Sequence, residues 1–190
     1  MPALLGIGGT LVGTVLGWLL NNWTKAGKLT LFVVEWKDDF TCDDGGYIKP
    51  CQNKEKINCY SFSVVLDIYN SSSEPKIMRD INVAFQNKRA IIKSITPKDD
   101  ATKKVYSMTI HYEDAQPMNI PAKSVVRCKF LDSFWHDNLH FILDVDRVYL
   151  SYIDERGKTK KKLLHRDSYK SRFEDKQEDL TNGQTQNAQH

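Results

Sequence analysis

No lysine, arginine, aspartate, glutamate or histidine occurs among the first 24 residues of this 190-residue chain, although five of its ten glycines do. All 51 charged residues come later. A cleaved signal peptide needs a basic start and a closing small-residue pattern of the A-x-A kind, and the sequence offers neither. No lipobox-like cysteine or terminal prenylation box provides another anchor. Catalytic signatures are equally scarce: there is no G-x-S-x-G, no P-loop and no Rossmann fingerprint, and Gly6-Ile7-Gly8-Gly9 lacks the Lys-Ser/Thr that a phosphate loop requires. The four cysteines lack the C-x(2–4)-C spacing of zinc sites. A formal charge of +3 is too small to imply a nucleic-acid partner, while 41% hydrophobic and 27% charged residues exclude a wholly disordered chain.

What the first 24 residues do contain is an uncharged apolar run from Ala3 to Leu20, continued by Asn21, Asn22, Trp23 and Thr24. A helix from Pro2 to Trp23 would be roughly 33 Å long, against a bilayer hydrocarbon core of about 30 Å. Trp18 and Trp23 fall where amphipathic rings settle among headgroups, and Lys25 and Lys28 follow as a basic flank. The sequence therefore predicts a transmembrane α-helix over 1–24 and a short linker over 25–27. With no positive charge before the span and two after it, the C-terminal domain is expected in the cytoplasm. Gly9, Gly13 and Gly17 recur every fourth residue, a stripe that lets a second backbone approach closely. The lipid bilayer is thus one expected partner, and a second copy of the chain, joined through this helix, is another.

From residue 28 to about 166 the pattern changes to period two. Lys28–Trp36 reads as a strand. In Cys59–Tyr69, Tyr60, Phe62, Val64, Leu66 and Ile68 share one face, with Ser61, Ser63 and Asp67 opposite. Further strands are expected over Ile77–Phe85, Ala90–Ile95, Val105–Tyr112 and Ser124–Leu131, the last with Val126, Cys128 and Phe130 inward. Leu139–Val145, Arg147–Ile153 and Lys158–Leu164 complete the series. Asn70 to Pro75 is a turn cluster, and Asp154-Glu155-Arg156-Gly157 is a hairpin turn whose glycine supplies positive φ. Eight or nine short strands without a helical period imply an all-β antiparallel sandwich, with immunoglobulin-like topology as the commonest arrangement. Its usual inter-sheet disulfide is not expected, because parity turns Cys59 outward and Cys128 inward. Residues 37–58 read as a loop-like insert carrying Cys42 and Cys51. Residues 167–190 read as a polar, weakly ordered tail with a short helix over 168–180.

His136-Asp137-Asn138-Leu139-His140 resembles a shortened H-E-x-x-H zinc motif, yet Asp137 is a methylene short, the segment runs into a strand and no third ligand is indicated. Asp144 and Asp146 read as strand terminators. No metal, cofactor or catalytic group is therefore expected. A cytoplasmic domain would keep its thiols reduced, whereas an external one would favour a Cys42–Cys51 bridge. The run from Lys158 to Lys162, with Arg156 and Arg166 nearby, has two readings. It is a surface for anionic headgroups or an edge strand whose lysines block aggregation. Without interleaved aromatics it is no nucleic-acid platform. The expected function is that of a membrane-anchored binding or sensing module, not an enzyme, meeting an unidentified protein partner near the bilayer. The alternative is an oligomeric, pore-type membrane effector triggered through the β-domain.

Overall fold

The computed structural model describes residues 12–22, 27–44, 47–107, 109–136 and 139–173. Among these described residues, twelve strands follow a helix, α1 (12–22). They are β1 (Leu29–Asp44), β2 (Tyr47–Pro50), β3 (Cys59–Asn70), β4 (Lys76–Asn87), β5 (Ala90–Ile95) and β6 (Lys98–Asp99), then β7 (Lys104–Tyr106), β8 (Thr109–His111), β9 (Met118–Ile120), β10 (Val125–Trp135), β11 (Arg147–Ile153) and β12 (Thr159–Arg166). One sheet has the order β2-β1-β3-β10-β6 and the other β12-β11-β4-β5, with β9 beside β4. The paired strands are antiparallel. A small β7–β8 hairpin stands apart from both sheets.

The core lies between the two sheets and follows the period-two pattern. Val64, Leu66 and Ile68 on β3 are fully enclosed, facing Val83 and Phe85 on β4 and Val148 and Leu150 on β11. Each such aliphatic side chain contributes about 1.5–3 kcal/mol by leaving water. Cys128 and Phe130 on β10 point into the same layer.

Bulges on β1 and β4 shift the phase of the core pattern. On β1, Val33 pairs with Leu66 and Glu35 with Val65, so Val34 is an extra residue. Leu29, Leu31 and Val33 face the core before it, and Trp36, Phe40 and Cys42 after it. This is why β1 runs to Asp44, through a stretch that reads as an insert when one constant parity is assumed. On β4, Asp80 and Ile81 together oppose Tyr152, and Asp80 takes a left-handed φ of 48°. A bulge of this kind, with its first residue left-handed, moves the inward set from Met78 to Ile81, Val83 and Phe85.

Other expectations are corrected. Leu139–Val145 is not a strand but a turn leading into a 3-10 helix at Ile142–Asp144. Val105–Tyr112 breaks into the β7–β8 hairpin, with Val105, Tyr106 and Ile110 exposed. Cys59 is buried, flanked across its neighbours by Thr41 and Trp135. Residues 167–173 pack onto the sandwich with Tyr169 fully enclosed, and the helical residues there are 171–173. The N-terminal membrane span is not supported. Among the described residues no helix is long and apolar enough to cross a membrane. The eleven described residues of α1 reach roughly 16 Å. Gly9, Trp23 and Lys25 lie outside the described residues.

Candidate functional site

The pole of the sandwich where the chain enters from α1 is built from three tight turns. Asn70 is fully buried, and its Nδ2 donates to the carbonyls of Glu74 (2.9 Å), Ile120 (3.1 Å) and Pro121 (3.1 Å). Its Oδ1 accepts from the Ser72 N–H at 2.9 Å, which folds the β3–β4 connection into a local Asx turn. The incoming chain is laced to that turn. The Lys28 N–H donates to Ser71 Oγ (2.9 Å) and the Ser71 N–H donates to the Lys28 carbonyl (3.1 Å). Gly27 passes so close that an added Cβ would lie 2.3 Å from the Ser72 nitrogen. Only glycine fits there.

The β11–β12 turn forms the other wall. Asp154 Oδ1 accepts from the N–H groups of Arg156 (2.9 Å) and Lys158 (2.8 Å), and Gly157 turns the chain at φ 73°. Burial works against the Asp154 carboxylate, but those two hydrogen bonds, with Lys160 and Arg156 nearby, hold its pKa below the usual carboxylate range. Between the two walls lies a cavity of about 280 Å³, with Leu29 and Tyr152 on its sides. Five basic and two acidic side chains line it. Lys76, largely buried, forms a close ion pair with Glu155, and Lys160 stands 3.7 Å from Asp154. Burial opposes charge at Glu155 as well, yet the Lys76 contact brings its pKa down. Lys28, Arg156 and Lys158 have no ion-pair partner among the described residues. The cavity is therefore a site with two internally paired cations and three unpaired ones. Its chemistry suits an anion.

The opposite half of the domain holds a second polar cluster, closed on itself. Asp38 points inward from β1, its side chain 7% exposed, and Arg172 Nη1 reaches it at 2.9 Å. Arg172 also donates to Asp167 (2.9 Å), lies 3.1 Å from His165 Nε2, and sits 4.8 Å above the Tyr169 ring. The hydroxyls of Tyr60 and Tyr169 are 2.8 Å apart. Trp36, His165 and Tyr169 stack in a row, with centroid spacings of 5.5 and 5.8 Å. Burial pushes the Tyr60 and Tyr169 phenols well up and pulls His165 down. The Asp38 and Asp167 carboxylates, the Tyr60 and Tyr169 hydroxyls and the Arg172 guanidinium are paired within the cluster, which makes it a clasp for residues 167–173, while Trp36 Nε1 is buried without a partner. It is not an open site.

The thiols of Cys42 and Cys51 hydrogen-bond each other, and burial raises the Cys51 pKa. Cys51 Sγ also donates to the Asn53 carbonyl at 3.1 Å. All four cysteines are free, and burial pushes Cys128 up to about 12. His136 directly follows β10 with a left-handed φ of 45°, and His140 lies in a turn, while Asp137 and Asn138 are outside the described residues. Asp144 is exposed in the 3-10 turn.

Of the residues singled out by the sequence, the structure brings Lys28, Arg156, Lys158 and Lys160 together at the cavity. Trp18 is exposed on α1, and a Cβ added at Gly13 or Gly17 would meet open space. Lys76 and Glu155 were not distinguishable from ordinary surface charges, because only the fold brings the starts of β1 and β4 beside the β11–β12 turn.

The model of the YopI Ig-like domain family matches residues 27–165, which spans both sheets. The chain is 27% identical over 165 residues to the SPbeta prophage-derived uncharacterized protein YopI of Bacillus subtilis (strain 168), covering 84% of this chain and 92% of that protein. Among solved structures, the ApaA protein from Bordetella pertussis shares 10% identity over 74% of this chain and 91% of its own, with a TM-score of 0.37. The apo PmoF2 PCuAC domain also shares 10% identity, over 73% of this chain and 94% of its own, at a TM-score of 0.28. At those scores neither likeness bears on fold or function. Two antiparallel sheets and a family match that spans both have one conclusion: the chain belongs to the YopI Ig-like domain family.

Proposed function

We propose that this protein is an immunoglobulin-like binding module tethered to a membrane surface by its apolar N-terminal segment, with no catalytic role. The observation that carries the reading is α1. Val12, Val15, Leu16, Trp18 and Leu20 are each 53–62% exposed, and Leu19 is 40% exposed. Such an apolar surface, uncharged on every side, needs cover that the described domain does not supply. Lipid supplies it, with Trp18 near the interface. In this reading the domain lies on the cytoplasmic side, as the positions of Lys25 and Lys28 favour. Pairing of helices through Gly9, Gly13 and Gly17 belongs to the same reading. No observation favours the pore-type alternative.

The test is extraction of the full chain from a membrane fraction. It is expected to stay in the pellet through high salt and alkaline carbonate and to leave only with detergent. Recovery in the carbonate supernatant overturns the tether. Protease added to intact cells is expected to spare a C-terminal tag, and its digestion without lysis reverses the orientation.

A further inference from the structure

We propose that the basic cavity beside Gly27 binds the phosphate of an anionic lipid headgroup. The inference rests on the tethered-module reading and adds the chemistry of its contact with the bilayer. Three observations carry it.

The first is the pairing pattern. Lys76 and Lys160 are matched by Glu155 and Asp154, whereas Lys28, Arg156 and Lys158 are unmatched among the described residues. Asp154 spends its Oδ1 on the backbone N–H groups that shape the turn, so it fixes where Arg156 and Lys158 emerge without forming an ion pair with either. An Arg fork and two ammonium groups around one cavity match the oxygens of a phosphate.

The second is reach. The described part of α1 reaches residue 22, and Gly27 is both locked to the β3–β4 turn and part of the cavity wall. Five peptide steps cannot span more than about 18 Å. If α1 enters lipid, the cavity must lie close to the headgroups, where the field of an anionic leaflet acts within a Debye length of about 8 Å.

The third separates this from edge protection alone. Lysines that only guard an edge belong on the edge strand, but Lys28 lies before β1 and Arg156 in a turn. They come from different parts of the chain and converge on the same 280 Å³ cavity.

The experiment reconstitutes the full chain with vesicles of pure phosphatidylcholine, or with vesicles in which a third is replaced by phosphatidylglycerol. Flotation and the acetylation rates of individual lysines, followed by mass spectrometry, are both measured. Flotation with both vesicle types is expected, with Lys28 and Lys158 acetylated several-fold more slowly only when phosphatidylglycerol is present. Lys103, exposed and outside the cavity, should show no change. In competition between the two vesicle types, Lys28→Gln, Arg156→Gln and Lys158→Gln should each reduce the preference for anionic vesicles about fivefold. Unchanged circular dichroism keeps misfolding separate from lost binding. Flotation with both vesicle types but equal acetylation overturns the headgroup site and leaves the tether standing. Flotation with anionic vesicles alone, with protection, retains the site and overturns the tether. Flotation with neither overturns both. Equal protection by millimolar inorganic phosphate without vesicles assigns the cavity to a free anion and overturns the lipid.

Discussion

Tyr169 offers the sharpest test of how the domain is closed. Its ring is fully buried, in edge contact with Phe40 and Tyr60 at centroid distances of 5.5 Å each, and stacked on His165. Truncating a buried aromatic to alanine costs about 3–5 kcal/mol. At about 2–4 °C per kcal/mol for a domain of this size, Tyr169→Ala should lower the melting temperature by about 6–20 °C. Tyr169→Phe keeps the packing and removes the hydroxyl with its 2.8 Å contact to Tyr60 and its hydrogen bond with Asp38, leaving Tyr60 with Asp38 at 3.4 Å, and should cost about 1–2 kcal/mol. Arg172→Ala strands the Asp38 carboxylate. Because the guanidinium is 31% exposed, its loss should cost less than the about 3–5 kcal/mol of a fully buried pair. Tyr169 and Arg172 touch, so the double variant should lose less than the sum of the singles. Thermal unfolding of the full chain by near-UV circular dichroism measures all four. A Tyr169→Ala transition within about 2 °C of the parent, or strict additivity with Arg172→Ala, would refute the view that residues 167–173 are part of the fold.

Three further outcomes follow from particular contacts. Gly27→Ala pushes a methyl into the Ser71–Ser72 backbone, which cannot retreat as a side-chain tip would, and should cost about 1–3 kcal/mol in chemical denaturation. His165 is held below the ordinary histidine value by burial first and by Arg172 second, against the pull of Asp38 and Asp167. The unfolded chain therefore takes up this proton first as pH falls, so the stabilisation is complete above about pH 6.5 and declines below it. The urea midpoint should fall between pH 7 and 5, and less steeply in His165→Gln; parallel profiles would remove His165 as the cause. Gly13→Leu should lower chemical crosslinking between full-length chains in membranes while Leu11→Ala does not. Equal effects from the two would reduce the glycine stripe to composition.

The middle of the fold was legible in the sequence because burial and hydrogen bonding agree there with a single period. β3 is the clearest case: Tyr60, Phe62, Val64, Leu66 and Ile68 are all buried on one face. β11 and β12, with Gly157 at their turn, were equally plain. The misreadings arise where the period changes phase or where burial comes from a distant segment. Val34 shifts the parity of β1, so Phe40 and Cys42 look like loop residues until the bulge is placed. Tyr169 and Phe173 were visible as a spaced aromatic pair. The need for them was hidden, because it arises from Asp38 and Phe40 more than a hundred residues earlier. The cavity was half legible. Lys28 and the lysine run stood out as charge, but Lys76 and Glu155 acquire meaning only once β4 and β11 pair.

The lysines of β12 show that edge protection and anion binding need not compete. β12 pairs with β11 alone and so presents a free backbone edge, which invites pairing with another chain. A bulge on β12, between the pairs Val148–His165 and Tyr149–Leu163, sets the phase of the residues before it. Lys160 and Lys162 then stand opposite Tyr152 and Leu150, on the core-facing side of the strand. Inward-pointing charge is one of the standing defences of an edge, because a strand pairing there would have to bury it. The same orientation has a local consequence. An ammonium group cannot settle between two apolar layers without a partner, so the inner side of β12 near its start must stay open to water or find an acid. Lys160 does both: half exposed, it reaches Asp154 at 3.7 Å and lines the cavity. The residue that keeps the edge from pairing is thus also one that keeps the cavity polar. Lys161, opposite Ser151 on the outer side, is exposed and absent from the cavity lining. Reversing the parity of this strand by one residue would therefore abolish both effects together, whereas a change of charge confined to Lys161 would touch neither.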